Sequence, residues 1–107
     1  MAAPTILKKL GPQQVRILQE DGQVDQSTVT LSRVGKDQVT WFAHGSHKAT
    51  IVFASPDGSP FHDTTFQVPA GGSVASGPAK TTAQYKPYKY IVIGEQGVND
   101  PKVIIQP

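Results

Sequence analysis

Apolar and polar residues alternate along much of this chain, and short segments rich in glycine or proline separate the alternating stretches. Val39, Trp41 and Ala43 fall on one side of such a stretch, with Thr40 and Phe42 on the other. An alternation of period two predicts a half-buried strand, because successive strand side chains point to opposite faces. The same reasoning predicts strands at 15–18, 28–32, 38–43, 50–54, 61–68, 88–93 and 102–106, with a short extended piece around 74.

The segments between these strands are typical of turns, among them EDG at 20–22, GKD at 35–37 and SPDGSP at 55–60. Short strands at regular intervals with turns between them predict an all-β fold, a two-sheet Greek-key β-sandwich of seven to eight strands. The pattern allows no more than a short helical turn near 81–85. The apolar runs at 91–93 and 103–105 lack alternation, as expected of strands that are covered on both faces or paired centrally.

Composition narrows the class of protein. The 107 residues fit a single domain, which we expect at 12–107, after an N-terminal extension or first-strand lead-in at 1–11. The ten lysines and arginines are dispersed and the net charge is only +2, so no nucleic-acid role is expected. No stretch approaches the roughly 20 apolar residues of a membrane span. The first residues lack the apolar core of a signal peptide, which predicts a cytoplasmic chain as written, or an exported one if a leader was removed.

Several short motifs occur in a fixed order along residues 12–107. They are VTW at 39–41, IVF at 51–53, FQVPAGGS at 66–73, YKYIV at 88–92 and DPKVII at 100–105. In this order and spacing they resemble a cupredoxin domain. VTW and IVF are similar to the strands that flank the first metal loop of that family. FQVPAGGS at 66–73 resembles the family segment F-x-V-P-x-G, and YKYIV at 88–92 resembles its Y-x-[YF]-x-C strand. DPKVII at 100–105 is similar to the closing strand. The resemblance implies a cupredoxin-like sandwich.

The same resemblance identifies positions at which copper ligands are missing. Val92 stands where the family has its cysteine ligand, and Ala49 stands where it has the first histidine. The following loop, 93–99, contains neither the histidine nor the methionine that complete the family's site. A type-1 copper site needs a cysteine thiolate, and this chain has no cysteine. Electron transfer by blue copper is therefore excluded.

Three histidines are the candidates for another metal site. His44 and His47 form an H-x-x-H pair in a predicted loop, and His62 precedes Asp63. Imidazoles with a carboxylate can bind zinc or copper(II). The competing interpretation is that these are loop histidines exposed to water, because H-x-x-H outside a helix is not specific for metal. The sequence therefore predicts no cofactor.

Other chemistry is weakly indicated. Ser46, Ser55 and Ser59 lie near His62 and Asp63, but no G-x-S-x-G motif is present and turn formation explains these residues. The glycines at 71–72 and 77 are followed by no predicted helix, so a phosphate loop is not expected. Core positions are expected for Trp41, Tyr88 and Tyr90, and an exposed position is expected for Tyr85.

The leading interpretation is a non-enzymatic binding or structural module, whose partner is a protein or small ligand of unknown identity. One alternative is a metal-binding protein that uses His44, His47 and His62. A second is a carbohydrate-binding or adhesion module, for which Phe42 and Tyr85 are the candidate exposed aromatics. The C-terminal strand at 102–106 carries apolar residues on both faces, so a homodimer through this strand is expected if it lies at a sheet edge.

Overall fold

A computed structural model of the chain describes residues 11–18, 22–43, 45, 47–54 and 56–107. These residues form strands and turns and contain no helix. The segment at 81–85 is a turn, in which the Ala83 amide donates to the Lys80 carbonyl. The strands in chain order are β1 (Gln13–Ile17), β2 (Thr28–Ser32), β3 (Val39–Ala43), β4 (Ala49–Val52), β5 (Thr65–Val68), β6 (Ser73–Ala75), β7 (Pro87–Lys89), β8 (Ile91–Ile93), β9 (Val98–Asn99) and β10 (Lys102–Gln106).

The strands form the two layers of a β-sandwich. One layer has the order β1-β3-β6. The other contains the sheets β2-β10-β7 and β5-β4-β8-β9, which are continuous because the Tyr90 amide donates to the Pro101 carbonyl between their paired strands. β1 runs parallel to β3, and β2 runs parallel to β10. Residues 24–25 pair with β1 ahead of β2, so this part of the chain contacts both layers. The predicted sandwich is confirmed.

The core between the layers follows from the alternation in the sequence. Val39, Trp41 and Ala43 are buried, whereas Thr40 and Phe42 on the opposite face of β3 are only half-buried. Aromatic side chains occupy the centre, and the Trp41 ring lies 5.2–6.3 Å from three of its neighbours. The members of this aromatic cluster are Trp41, Phe53, Phe61, Phe66 and Tyr90.

Some strand boundaries differ from the predicted ones. Phe61 is buried in a bend, and the strand predicted at 61–68 begins only at Thr65. The strand predicted at 88–93 is divided at Tyr90, whose amide bonds outside the regular ladder. β9 was not predicted, because a two-residue strand is too short to show alternation. The burial of Phe61 in a bend and the break in pairing at Tyr90 both depend on contacts between residues far apart in the sequence. The local pattern of residues therefore does not predict them.

β10 does not lie at a sheet edge. It pairs with β2 on one side and β7 on the other, so its backbone groups already have partners. β8 likewise lies between β4 and β9. The apolar runs at 91–93 and 103–105 therefore belong to strands that are paired on both sides. Central pairing was one of the two expectations for these runs. Within the described chain, β2, β5 and β6 each pair with a strand on one side only and leave an unpaired edge.

Candidate functional site

The strand registers define two ends of the sandwich. β4 begins at Ala49 beside the end of β5, and β8 runs antiparallel to β4 and ends at the same side. We call this side, with residues 47–48, 69–72 and 94–97, the proximal end. The opposite side, where β2, β4 and β10 end and β7 begins, carries residues 33–38, 53–54, 56–64 and 76–86 and is called the distal end.

The two positions that correspond to copper ligands lie in the core near the proximal end. Val92 is opposite Ile51 on β4, and Ala49 is opposite Val68 on β5. Val92 is fully buried, and Ala49 and Val68 are nearly so. All of these side chains are apolar, so this part of the core offers no donor atom to a metal ion. Packed apolar side chains thus occupy both positions, 49 and 92, at which the resemblance places copper ligands.

His47 lies at the proximal end and contacts the loop between β8 and β9. Its Nδ1 is 3.0 Å from Oε1 of Glu95, and both side chains are about 40% exposed. The hydrogen bond from His47 lowers the pKa of the Glu95 carboxyl, and a backbone hydrogen bond from Lys48 lowers it further. The pair connects the loop before β4 with the loop after β8. His44, the other half of the H-x-x-H pair, lies outside the described residues.

His62 lies at the distal end and is exposed. It follows β4, whereas His47 precedes it, and the Phe53 amide donates to the Thr64 carbonyl at that far end. Residues 47 and 53 are separated by about 20 Å of extended chain. A metal ion holds imidazole nitrogens at about 2 Å, so in this arrangement His47 and His62 cannot bind the same ion. No group of three or more metal-ligating side chains was found in the part of the chain that the structure describes.

The serines considered for catalysis divide similarly. Ser46 and Ser55 lie outside the described residues. The Ser59 hydroxyl donates to the Asp63 carbonyl at 2.7 Å and accepts from the Phe61 amide at 3.0 Å. Its hydrogen bonds thus hold the turn that places Phe61 in the core, which is the turn-forming role predicted for it.

A basic cleft of about 420 Å³ opens at the distal end. We call it the distal cleft. Arg33 is held at its wall by a hydrogen bond of 2.6 Å from Nη1 to the Ala83 carbonyl, and its guanidinium lies 4.2 Å from the centre of the Tyr85 ring. The polar side chains of the lining are Arg33, Lys36, His62, Lys80, Thr81 and Thr82. Sequence reasoning missed this site, because the cations come from segments that are far apart in the chain.

The two exposed aromatics named from the sequence do not form one platform. Phe42 points away from the core on the β1-β3-β6 layer and faces Arg16 in register. Tyr85 is 47% exposed and lies at the distal end, just before β7 of the other layer. A carbohydrate-binding face with both rings is therefore absent from the described surface. None of the described residues forms a helix that is long and apolar enough to span a membrane.

Comparison with known proteins supports the fold. No protein-family model matches the chain, and no curated protein sequence matches it. Solved structures with a similar fold include a novel purple cupredoxin from Nitrosopumilus maritimus, with 15% identity and a TM-score of 0.59 over 87% of this chain and 98% of that one. A point mutant of amicyanin, in its reduced Cu(I) form at pH 4, has 12% identity and a TM-score of 0.59 over 94% of this chain and 87% of its own.

Auracyanin from Roseiflexus castenholzii, in its dithionite-reduced state, has 14% identity and a TM-score of 0.57 over 90% of this chain and 97% of its own. Identities this low establish the fold and not the function. The predicted resemblance is confirmed at that level: the chain has a cupredoxin-like fold and lacks the ligands of a type-1 copper site.

Proposed function

We propose that this protein is a non-enzymatic, cupredoxin-like binding module that does not carry out blue-copper electron transfer. The observation that carries the proposal is the apolar packing at Ala49 and Val92, the positions that correspond to copper ligands. Val92 belongs to the same buried face as Ile51, so a metal ion there would have to displace packed core. Replacing tightly packed apolar groups is costly, because cores have few voids larger than a water molecule.

A metal titration tests the first half of this proposal. Protein purified without a histidine tag is mixed with copper(II), and the visible spectrum is recorded along with the metal content after dialysis. We expect no thiolate-to-copper absorption band, because no thiolate is present, and no stoichiometric copper, because the core at Ala49 and Val92 offers no donor atom. An intense band in the visible region would contradict the proposal, and one bound copper per chain without that band would favour the second candidate, a metal site at the proximal end.

A metal site at the proximal end is the second candidate function. The specific observation in its favour is the His47–Glu95 pair, which places an imidazole beside a carboxylate in neighbouring loops. His44, three residues before His47 in the sequence, is the candidate for a further ligand. His62 is too distant to take part. Such a site would use nitrogen and oxygen ligands, which suit zinc or copper(II).

Matched histidine variants separate the two candidates. If the proximal site exists, wild-type protein binds one zinc ion in calorimetry, His47→Gln abolishes the binding and His62→Gln leaves it unchanged. If the protein is instead a binding module without a metal site, none of the three proteins should show saturable zinc binding. Equal loss of binding in both variants would contradict the placement of the two histidines at opposite ends.

Self-association through a sheet edge is a further proposal about partners. The edge is sought at β2, β5 or β6, because β10 is paired on both sides. β2 has five residues, β5 four and β6 three, so each offers a second copy only a few backbone hydrogen bonds, and β2 offers the most. Light scattering over a range of concentrations tests the proposal, and a monomer at every concentration would overturn it.

A further inference from the structure

We propose that the distal cleft binds a small molecule that carries a phosphate or sulfate group. This inference deepens the proposed binding function and rests on it. The cleft lies at the end of the sandwich opposite the positions that correspond to copper ligands, so its occupation does not depend on metal chemistry. Four cationic or protonatable side chains face it, from three separate segments of the chain.

The lining of the distal cleft contains cationic and neutral side chains. No aspartate or glutamate belongs to its lining. Asp57 forms an ion pair of 2.7 Å with Lys86, and the Asp37 carboxylate accepts hydrogen bonds from the Gly11 and Ser32 amides. Asp63 follows His62 in the chain but does not line the cleft. An anion in the cleft therefore meets cationic groups and no carboxylate in the lining itself. Asp57 lines the adjoining cavity with Lys80 and Thr82, where its ion-pair partner is Lys86.

Unused donors point to a ligand that accepts hydrogen bonds. Within the described part of the chain, the side chains of Lys36, His62 and Lys80 form no hydrogen bond or ion pair, and neither do the hydroxyls of Thr81 and Thr82. Arginine and lysine bind phosphate and sulfate oxygens through charge-assisted hydrogen bonds, which are about twice as strong as neutral ones. The distal cleft thus combines charge with donors that an oxyanion can occupy.

The position of the cationic groups is partly fixed in advance. Arg33 is held by the Ala83 carbonyl and by the Tyr85 ring and hydroxyl, which limits its side-chain freedom. Lys36 has a left-handed backbone conformation with φ of 57°. It lies in a turn that is closed by a hydrogen bond from the Lys36 amide to the Arg33 carbonyl. Groups that are already ordered lose less entropy on binding. A volume of about 420 Å³ lies within the range of small-molecule sites.

Binding is tested with three probes at low ionic strength: inorganic phosphate, glucose 6-phosphate and glucose 6-sulfate. Calorimetry gives the affinity, and amide chemical shifts in NMR give the location. We expect saturable binding with a Kd of about 1 mM or tighter for at least one probe. The largest shifts should fall on residues 33–36, 62 and 78–82. Saturable binding of either ester supports the proposal, and the ester that binds more tightly identifies the preferred oxyanion.

Charge-removing variants provide the control. Lys36→Gln and Lys80→Gln should each weaken binding about tenfold, the loss expected for one charge-assisted contact. Lys89→Gln is the matched control, because Lys89 is 68% exposed and lies outside the cleft, near Asp100. Melting curves establish that each variant is folded.

The proposal is overturned if no probe binds saturably, or if Lys89→Gln weakens binding as much as Lys80→Gln. Either result would leave the copper titration at the proximal end unaffected. Failure of this inference is therefore distinguishable from failure of the proposed function.

Discussion

The buried hydrogen bond between Trp41 and Tyr90 allows a quantitative test of the core. The Trp41 Nε1–H donates to the Tyr90 hydroxyl at 3.1 Å, and both side chains are almost fully buried. Tyr90→Phe keeps the ring but leaves the indole N–H without this partner. An unsatisfied buried donor costs about 1–3 kcal/mol, so we expect the free energy of unfolding at pH 7 to fall by about 2 kcal/mol.

The same substitution should alter the response of stability to alkaline pH. Burial raises the pKa of the Tyr90 hydroxyl from 10.0 to about 12, an effect partly offset by the hydrogen bond from Trp41. Because the folded pKa lies above the unfolded one, the stabilisation is complete below about pH 10 and is lost as the pH rises toward 12. At pH 11 the wild type should have lost about 1 kcal/mol through this group, a loss that the phenylalanine variant does not have.

Urea unfolding at pH 7 and pH 11 measures both effects. Trp41 is the only tryptophan of the chain, so its fluorescence reports on this part of the core directly. The stability difference between wild type and Tyr90→Phe should narrow from about 2 to about 1 kcal/mol between the two pH values. Tyr85→Phe is the control, because Tyr85 lies at the surface. A difference of the same size at both pH values would refute the burial of an un-ionised Tyr90.

Three further predictions concern backbone, core and loop. Gly22 and Gly11 both have φ of 84°, but only at residue 22 would an added Cβ meet another atom closely, the Val92 carbonyl oxygen at 2.6 Å. In calorimetric melting, Gly11→Ala should cost about 1 kcal/mol and Gly22→Ala more than about 2 kcal/mol, and equal costs would contradict this contact. A cysteine introduced by Val92→Cys should react with a thiol reagent only after unfolding, whereas Val98→Cys at the exposed hairpin should react in the folded protein. The Glu95 carboxyl should titrate in NMR with a pKa below its usual range and return toward it when its histidine partner is replaced by glutamine, and an unchanged midpoint would show that the pair does not form in solution.

The distal cleft is a cluster of cationic side chains that the sequence alone did not reveal. The lysines and arginines are dispersed along the chain, which argues against a basic surface when only the order of residues is considered. Arg33, His62 and Lys80 nevertheless line one cleft, because β2 and β4 end on the same side and the segment after β6 returns there. Contacts between residues this far apart are set by strand order, and no local pattern carries that information.

The metal candidates illustrate the same limit. His47 and His62 are close enough in sequence to suggest a shared site, yet β4 separates them. A strand is the most extended arrangement of the chain, so residues at its two ends are farther apart than in a loop or helix of the same length. The placement of β10 between β2 and β7 was likewise decided by pairing, which its own apolar residues do not specify.

The sequence by itself determined the class of fold, the face that most strands bury and the missing copper ligands. Period-two alternation is a local property, so the burial of Trp41 was predicted correctly. The burial of Tyr88 and Tyr90 was predicted correctly from their shared strand face together with the family resemblance. The lack of cysteine is a matter of composition, and it excludes a type-1 site whatever the fold. Only the tertiary structure decided which strands are neighbours, which charges converge and which loops share an end. These features depend on pairing between strands that are far apart in the sequence. The free energy of that pairing is distributed over many contacts, so no short segment specifies it.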